Sequence, residues 1–411
     1  MKLSIPMPTG RSPVGTTLFH MIDKSRREPF DDSPPWREFV VQAWYPADPE
    51  PGARPLAGPA VLGYPGVWYV PGLLPAGGDD PLQGEIIRRV SAEFAFLEVD
   101  VQSAPLKTHS FPEAPLAQSE KLYPVLLFSA GYETAMIQST FQMEELASHG
   151  YVVFSIEHPY EASANIFPDG RVIFLDEKHP RLVQVYAEQG EAMGWLNEWS
   201  KSPPRPESIP GLFEELIAKT PTSTKSMDTW TADARFVIDE LERINRGESE
   251  HLFAGRLDLD RLGALGFSFG GATAAQLCLT DPRCKAGVNM DGLQFGRVCG
   301  QSISQPFMVF YHQWNPLLRI NDHAYRNFIG TTFALTIRGT EHHNFAGGST
   351  WFSALGIADM IGTIDVERGY RIINDYVLAF FGAYLNGKDS DLLKGPSAAY
   401  PETVFEMTNP R

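Results

Sequence analysis

Cysteine is scarce: Cys278, Cys284 and Cys299 are the whole complement of the 411 residues. An odd number gathered in one stretch, without a C-x-x-C pair, excludes a disulfide framework and a thiolate zinc site and reads as buried bystander thiols. Positive charge is also in deficit, with 34 Lys and Arg against 50 Asp and Glu, a formal net charge of −16 and no dense basic run. A field of that sign repels phosphate backbones and anionic lipid, so nucleic acid is not expected as a partner. No stretch approaches the ~18 apolar residues of a membrane span, which argues against stable membrane insertion. Met1 to Val14 carries Pro6, Pro8 and Pro13 and lacks the apolar run of a secretory signal, so a cytoplasmic protein is expected. Internal repeats and low-complexity tracts are absent as well.

What is present is ordinary globular composition, with 43% apolar and 20% charged residues, enough to bury a large core. The first 120 or so residues are rich in Pro and Gly. Within them Thr16 to Ile22 and Glu38 to Tyr45 carry β-branched and aromatic residues and predict antiparallel strands. Asp48 to Gly78 reads as loop, and Pro81 to Phe96 has a helical pattern.

From Pro124 the rhythm changes to short, continuously apolar runs separated by amphipathic stretches, the pattern of strands covered on both faces by helices. The runs are Val125 to Phe128, Val152 to Ile156, Leu262 to Leu265, Ala286 to Met290, Phe307 to Tyr311 and Phe333 to Ile337. They predict a mostly parallel, doubly wound α/β sheet. A helix is expected over Met136 to Ser148, stopped by Gly150. A second carries Trp230, Ala234, Val237, Leu241 and Ile244 at helical spacing, a stripe that reads as core packing. Pro159 to Asp228 interrupts the alternation with aromatics (Phe167, Tyr186, Trp195, Trp199, Phe213) and the prolines Pro203, Pro204, Pro206 and Pro210. Inserts of that length serve a site or are disordered, and the aromatics favour a lid over the active-site face. We therefore expect one domain, 1–411, with a helical lid inserted at 159–228.

Gly266-Phe267-Ser268-Phe269-Gly270 is a G-x-S-x-G pentapeptide at the end of a predicted strand and the start of a predicted helix. A serine held in that tight turn needs small residues two positions away on either side. The turn pushes its hydroxyl above the sheet, with the Phe269 N–H beside it at a helix N-terminus. A serine hydroxyl is a weak nucleophile, so an acid and a base must follow from later strand ends, in the order Ser, Asp, His that belongs to the α/β-hydrolase fold. Asp291 ends the run Ala286 to Met290 and precedes Gly292; read alone it is also a turn aspartate. After Phe333 to Ile337 come His342 and His343, which compete for the base; His342 is chosen and His343 held in reserve. The second oxyanion donor is expected from the loop after the first parallel strand, at the Tyr132 N–H, with Gly131 permitting the bend. The Tyr132 ring is a candidate acyl-pocket wall. His158 is expected to make local hydrogen bonds at a strand edge, and Trp314 and Phe345 to pack in the core. The histidines and Glu341 show no H-E-x-x-H or comparable ligand spacing, so neither a metal nor a cofactor is expected.

With these residues in view, the chain resembles the plasma-type (isoform II) platelet-activating factor acetylhydrolase family. The likeness runs through V-Q-x-W-Y-P (Val41 to Pro46), F-S-A-G (Phe128 to Gly131), L-A-S-H-G-Y-V-V (Leu146 to Val153), Glu157-His158, Gly266 to Ala274, D-x-R-x-K-A-G-V-x-x-D (Asp281 to Asp291) and R-G-x-x-H-x-N-F (Arg338 to Phe345). The resemblance implies a triad of Ser268, Asp291 and His342, favouring His342 over His343, and oxyanion amides at Tyr132 and Phe269. It implies hydrolysis of a small or lipid-like carboxylic ester. The chain departs from the family at Ala130, where a histidine is usual, at Tyr132, where a small or aliphatic residue is usual, and in its longer insert. An acyltransferase or thioesterase using the same residues is the alternative expectation, and a binding module without catalysis a third.

Overall fold

The computed structural model describes residues 5–33, 35–62, 67–69, 104–169, 171–201, 209–313, 321–355 and 360–408. Strands β1 (Val14–Asp23) and β2 (Arg37–Pro46) pair antiparallel along their whole length, Val14 opposite Pro46 and Asp23 opposite Arg37. β3 (Ser110–Pro112) adds a short parallel edge to β1. β2 then lies antiparallel to β5 (Val152–Ile156), where the parallel part begins. Strands β4 (Tyr123–Ser129), β6 (Leu257–Phe267), β7 (Cys284–Met290), β8 (Phe307–Tyr311) and β9 (Thr332–Ile337) run parallel, and β10 (Thr403–Thr408) closes the far edge antiparallel. The order across the sheet is β10-β9-β8-β7-β6-β4-β5-β2-β1-β3. This is the mostly parallel, doubly wound sheet with antiparallel N-terminal strands that the sequence predicts for an α/β hydrolase.

The apolar runs are continuous because both faces are covered. On β4, Val125 and Leu127 face one core together with Val237, Ile238 and Leu241. Leu126 and Phe128 face the other, with Met143, Leu146, Ile373 and Phe380. Alternate residues thus enter opposite cores, as the pleat requires. The helices supplying these walls are α1 (Thr140–Ser148), α4 (Pro221–Asn245), α5 (Phe269–Thr280) and, after two short helices, α8 (Val366–Asn386). The insert contributes α2 (Pro180–Lys201) and α3 (Ile209–Lys219); the short ones are α6 (Asn321–Arg326) and α7 (Gly348–Leu355). Among the described residues no helix is long and apolar enough to cross a membrane.

Several boundaries differ from expectation, each for a local reason. α1 starts at Thr140 rather than Met136, because residues 136–139 form turns closed over three residues, with Gln138 N–H donating to the Ala135 carbonyl at 2.9 Å and Thr140 N–H to that of Ile137 at 3.1 Å; the Met136 N–H donates to the Glu157 carboxylate at 3.1 and 3.2 Å. Gly150, at φ 97°, closes that helix as predicted. α4 runs unbroken from Pro221 through position 228, so the insert and the predicted core helix are continuous. Proline suits the first helical turn, and the Thr222 N–H there donates to Glu188 of α2 at 2.7 Å. The stretch expected as loop contains strands Ala57–Leu62 and Val67–Tyr69, and Ala57–Leu62 pairs with both Val67–Tyr69 and Ala104–Lys107. A hairpin of Ala164–Ile166 and Val172–Phe174 opens the insert. The predicted helix at 81–96 lies outside the described residues, as do Trp314 and the prolines Pro203, Pro204 and Pro206. Cys278, Cys284 and Cys299 are buried free thiols, as expected; Cys278 Sγ lies 3.2 Å from Cys284 Sγ.

Candidate active site

β6 ends at Phe267 and α5 starts at Phe269, so Ser268 alone makes the turn. Its backbone sits at φ 54°, ψ −122°, a conformation that costs a non-glycine residue about 1–3 kcal/mol. The flanking glycines make the turn possible by close approach. A Cβ on Gly266 would lie 2.2 Å from the Gly270 carbonyl, and one on Gly270 would lie 2.0 Å from the Ser129 oxygen. Asp291 leaves β7 in a similar left-handed conformation, φ 60°, with its carboxylate fully buried. His342 begins a single 3-10 turn, His342–Phe345, after β9. Asn344 fixes that turn by accepting from the Glu341 N–H at 2.7 Å and from Gly362 N–H at 2.9 Å, while Phe345 is buried against Phe310.

These turns bring the three predicted residues together. His342 Nε2 is 3.1 Å from Ser268 Oγ, and His342 Nδ1 is 2.5 Å from Asp291 Oδ2. With the ring proton on Nδ1 and donated to the carboxylate, Nε2 carries the lone pair, and the serine hydroxyl donates to it. Burial alone would raise the Asp291 carboxyl. Hydrogen bonds from His312 and His342, with their charge, outweigh it and hold the group below the usual carboxylate range. His343 does not compete. Its ring packs beside Phe352, and burial, then the neighbouring His342, pushes its pKa down to about 4.

Tyr132 and Phe269 flank Ser268 on a cavity of about 150 Å³ also lined by Gln189, Ala192 and Met193 of α2 and by Leu293 and Phe295. Among the described residues neither the Tyr132 nor the Phe269 N–H donates to a protein acceptor. Gly131 acts differently from expectation. It is not in the left-handed region, where Glu133 instead sits at φ 64°. Its missing Cβ leaves clearance for the Phe267 ring, 3.0 Å from where that atom would be, and for Ser268 Cβ at 3.3 Å.

Two site residues escaped the sequence reading. Glu161, in the insert, is fully buried and accepts from Trp230 Nε1 at 2.7 Å, from the Tyr132 hydroxyl at 3.1 Å and from the Ser226 hydroxyl; its backbone carbonyl takes the Glu133 N–H at 2.8 Å. Burial raises its carboxyl against these donors. Trp230 therefore does more than pack: through Glu161 it ties the loop that carries Tyr132 to α4. No sequence signal marks a glutamate for this. The other is His312, just past β8, whose Nδ1 lies 2.7 Å from Asp291 Oδ2 and whose backbone N–H donates to Asp291 Oδ1 at 2.7 Å. It occupies the same strand-end position on β8 that Asp291 occupies on β7, which is the signal that was available.

Asp291, His312 and His342 are also the one group of metal-ligand type among the described residues. Their separations of 2.5 and 2.7 Å are those of atoms sharing a proton, which leaves no space for a cation between them. His158 differs from expectation in that its hydrogen bonds are long-range rather than local: Nδ1 meets Asp233 of α4 at 2.9 Å, Nε2 meets Ser129 Oγ at the end of β4 at 3.2 Å, and the ring stacks on Trp230 at 3.9 Å.

The family profile of platelet-activating factor acetylhydrolase, isoform II, matches residues 89–177 and 244–397, more than half of the chain. The chain belongs to that family. The unmatched interval 178–243 holds α2, α3 and nearly all of α4, so the match covers the parallel strands and the first residues of the insert, 159–177, and leaves the rest of the insert outside it. A probable 1-alkyl-2-acetylglycerophosphocholine esterase of Arthroderma benhamiae is 25% identical over 309 residues, covering 69% of this chain and 66% of that relative, just under two thirds. The platelet-activating factor acetylhydrolase of Cavia porcellus is 25% identical over 390 residues, covering 85% and 77%. A solved ferulic acid esterase from Streptomyces cinnamoneus superposes with a TM-score of 0.69 at 22% identity over 98% of this chain and 99% of that one, a likeness of fold.

Proposed function

We propose that the chain is a serine carboxylic ester hydrolase in which Ser268 is the nucleophile, His342 the base, Asp291 the orienting acid, and the Tyr132 and Phe269 amides the oxyanion donors. The observation that carries this reading is the unbroken hydrogen-bonded series from Ser268 Oγ through His342 to the buried Asp291, opening on one cavity. The Ser268 proton passes to His342 Nε2 as Oγ bonds to the ester carbonyl carbon. The carbonyl oxygen gains the negative charge and is met by two N–H groups, each contributing about 10²–10³ in rate where such donors have been removed. Collapse breaks the ester C–O bond, and the alcohol leaves with the proton from His342. Water, deprotonated by the same nitrogen, then releases the acid and restores Ser268.

The apolar wall of Ala192, Met193, Phe269, Leu293 and Phe295 suits a short, neutral acyl group. The relatives' names make an acetylated ether phospholipid the first natural-type ester to test. The insert of 159–228 acts as the lid, since α2 supplies three of the residues lining the cavity, Gln189, Ala192 and Met193. Ser268→Ala is expected to abolish p-nitrophenyl acetate turnover and fluorophosphonate labelling, whereas a chelator leaves the rate unchanged. Turnover retained by Ser268→Ala removes the proposal.

A further inference from the structure

We infer that His312 is a positioning residue that shares the Asp291 carboxylate with His342 and thereby keeps His342 able to accept a proton in more acidic solution. The inference rests on the catalytic reading above. Its ground is geometric. A triad carboxylate needs one imidazole, yet here Oδ2 faces two Nδ1 atoms, at 2.5 Å from His342 and 2.7 Å from His312, while Oδ1 is held by the His312 backbone N–H. The two rings lie 6.4 Å apart at 72°. Fixed at both oxygens by one residue, the carboxylate presents Oδ2 to His342 in one orientation.

The charge consequences follow from which ring is wetter. The His342 side chain is 37% exposed and the His312 side chain 10%. The titratable groups facing His312 among the described residues are Asp291 from the end of β7, with His342 and Glu341 from the turn after β9; Glu341 Oε2 is 3.9 Å from His312 Nε2. His312 is thus placed between two carboxylates, whereas His342 has one carboxylate and the serine. Burial opposes protonation of His312, but Asp291 and then Glu341 outweigh it and raise its pKa above the ordinary histidine value. On acidification the first proton entering the three-group unit therefore resides on His312. It leaves His342 neutral and still able to take the Ser268 proton. The second proton, which silences His342, meets a positive neighbour and binds only at lower pH.

The test is the pH dependence of kcat/KM for p-nitrophenyl acetate and of the fluorophosphonate labelling rate, in the wild type and in His312→Asn. Asparagine retains a side-chain donor and the backbone N–H but cannot ionise. The wild type is expected to stay active through the first protonation and to lose activity in one step, as the second proton binds. The variant is expected to lose it in one step as well, centred about one pH unit above the wild type's. A purely structural role lowers rate or melting temperature without moving that limb. In the wild type, histidine NMR must show His312 protonating before His342; the reverse order overturns the inference whether or not the variant folds, and so do superimposable limbs in a variant that labels. Ser268→Ala keeps the two claims apart: if it retains turnover, the catalytic reading fails, whereas an inactive Ser268→Ala with an unmoved limb in His312→Asn sinks only the role of His312.

Discussion

Ser268 and Asp291 both take a positive φ at the carboxyl ends of neighbouring strands, 54° and 60°, and are stitched into the sheet in the same way. The Ser268 N–H donates to the carbonyl of Met290 on the next strand at 2.9 Å, and the Asp291 N–H donates to that of Phe310 on the strand after at 3.0 Å. The ladder thus continues one residue past each strand and places both side chains above the same sheet edge. Gly292 closes the pair: a Cβ there would lie 1.9 Å from the Ser268 carbonyl oxygen and 2.7 Å from Asn289 Oδ1.

Gly292→Ala therefore tests how tightly the elbow and the acid are coupled. Backbone and a triply hydrogen-bonded Asn289 offer the methyl group no flexible neighbour to displace. The expected cost is about 1–3 kcal/mol of stability. Displacing Ser268 by an ångström should lower fluorophosphonate labelling on the order of 10²-fold. Thermal melts and labelling rates check both. An alanine variant that labels at the wild-type rate would show that the elbow tolerates a shift that the close approach forbids.

A second prediction concerns stability and pH away from the site. Glu144 of α1 is fully buried and accepts from the His109 N–H at 2.7 Å and from Ser110 Oγ at 2.5 Å. Burial outweighs these donors and pushes its pKa up to about 7 from an ordinary value of 4.5. Between those values the folded chain keeps a proton that the unfolded chain has lost. The group's contribution is thus fully present below pH 4.5, declines as pH rises, and levels off above about 7. Glu144→Gln keeps an acceptor for Ser110 and His109 and removes the ionisation. In urea melts the variant should gain stability relative to wild type between pH 5 and pH 8, by up to about 3 kcal/mol. A difference between the two proteins that does not change with pH would contradict the assignment.

How far the site could be read from the sequence depended on whether a residue's role is written locally. The strand runs were legible because a strand buried on both faces must be apolar at every position, as Val125 to Phe128 are. Ser268 was legible because its turn demands Gly266 and Gly270 in adjacent sequence. Asp291 and His342 were legible through strand ends and chain order. Glu161 was not: its partners Tyr132, Ser226 and Trp230 come from separate segments that meet only in the folded chain. The start of α1 was misplaced because the three-residue turns that precede Thr140 keep the apolar spacing of a helix and differ only in their hydrogen bonds. His312 carried a positional signal, but one histidine after an apolar run does not reveal that its carboxylate is already partnered.

The insert can be tested through Ala192, which lies on α2 and is 2% exposed, yet borders the cavity beside Ser268. A phenyl ring at this position projects into about 150 Å³ that the reading assigns to the acyl chain. Acetate occupies only the end nearest the serine, whereas longer acyl groups must extend along the α2 wall of Ala192 and Met193. Each methylene accommodated in an apolar pocket is worth about 1–3 kcal/mol in kcat/KM. Ala192→Phe should therefore lower turnover of p-nitrophenyl butyrate and octanoate by at least about tenfold relative to acetate, and leave labelling by a small fluorophosphonate intact. Equal loss on all esters with a lowered melting temperature would indicate disturbed packing of α2 against the core. An unchanged chain-length profile in a well-folded variant would place the acyl group on another wall and remove α2 from substrate selection.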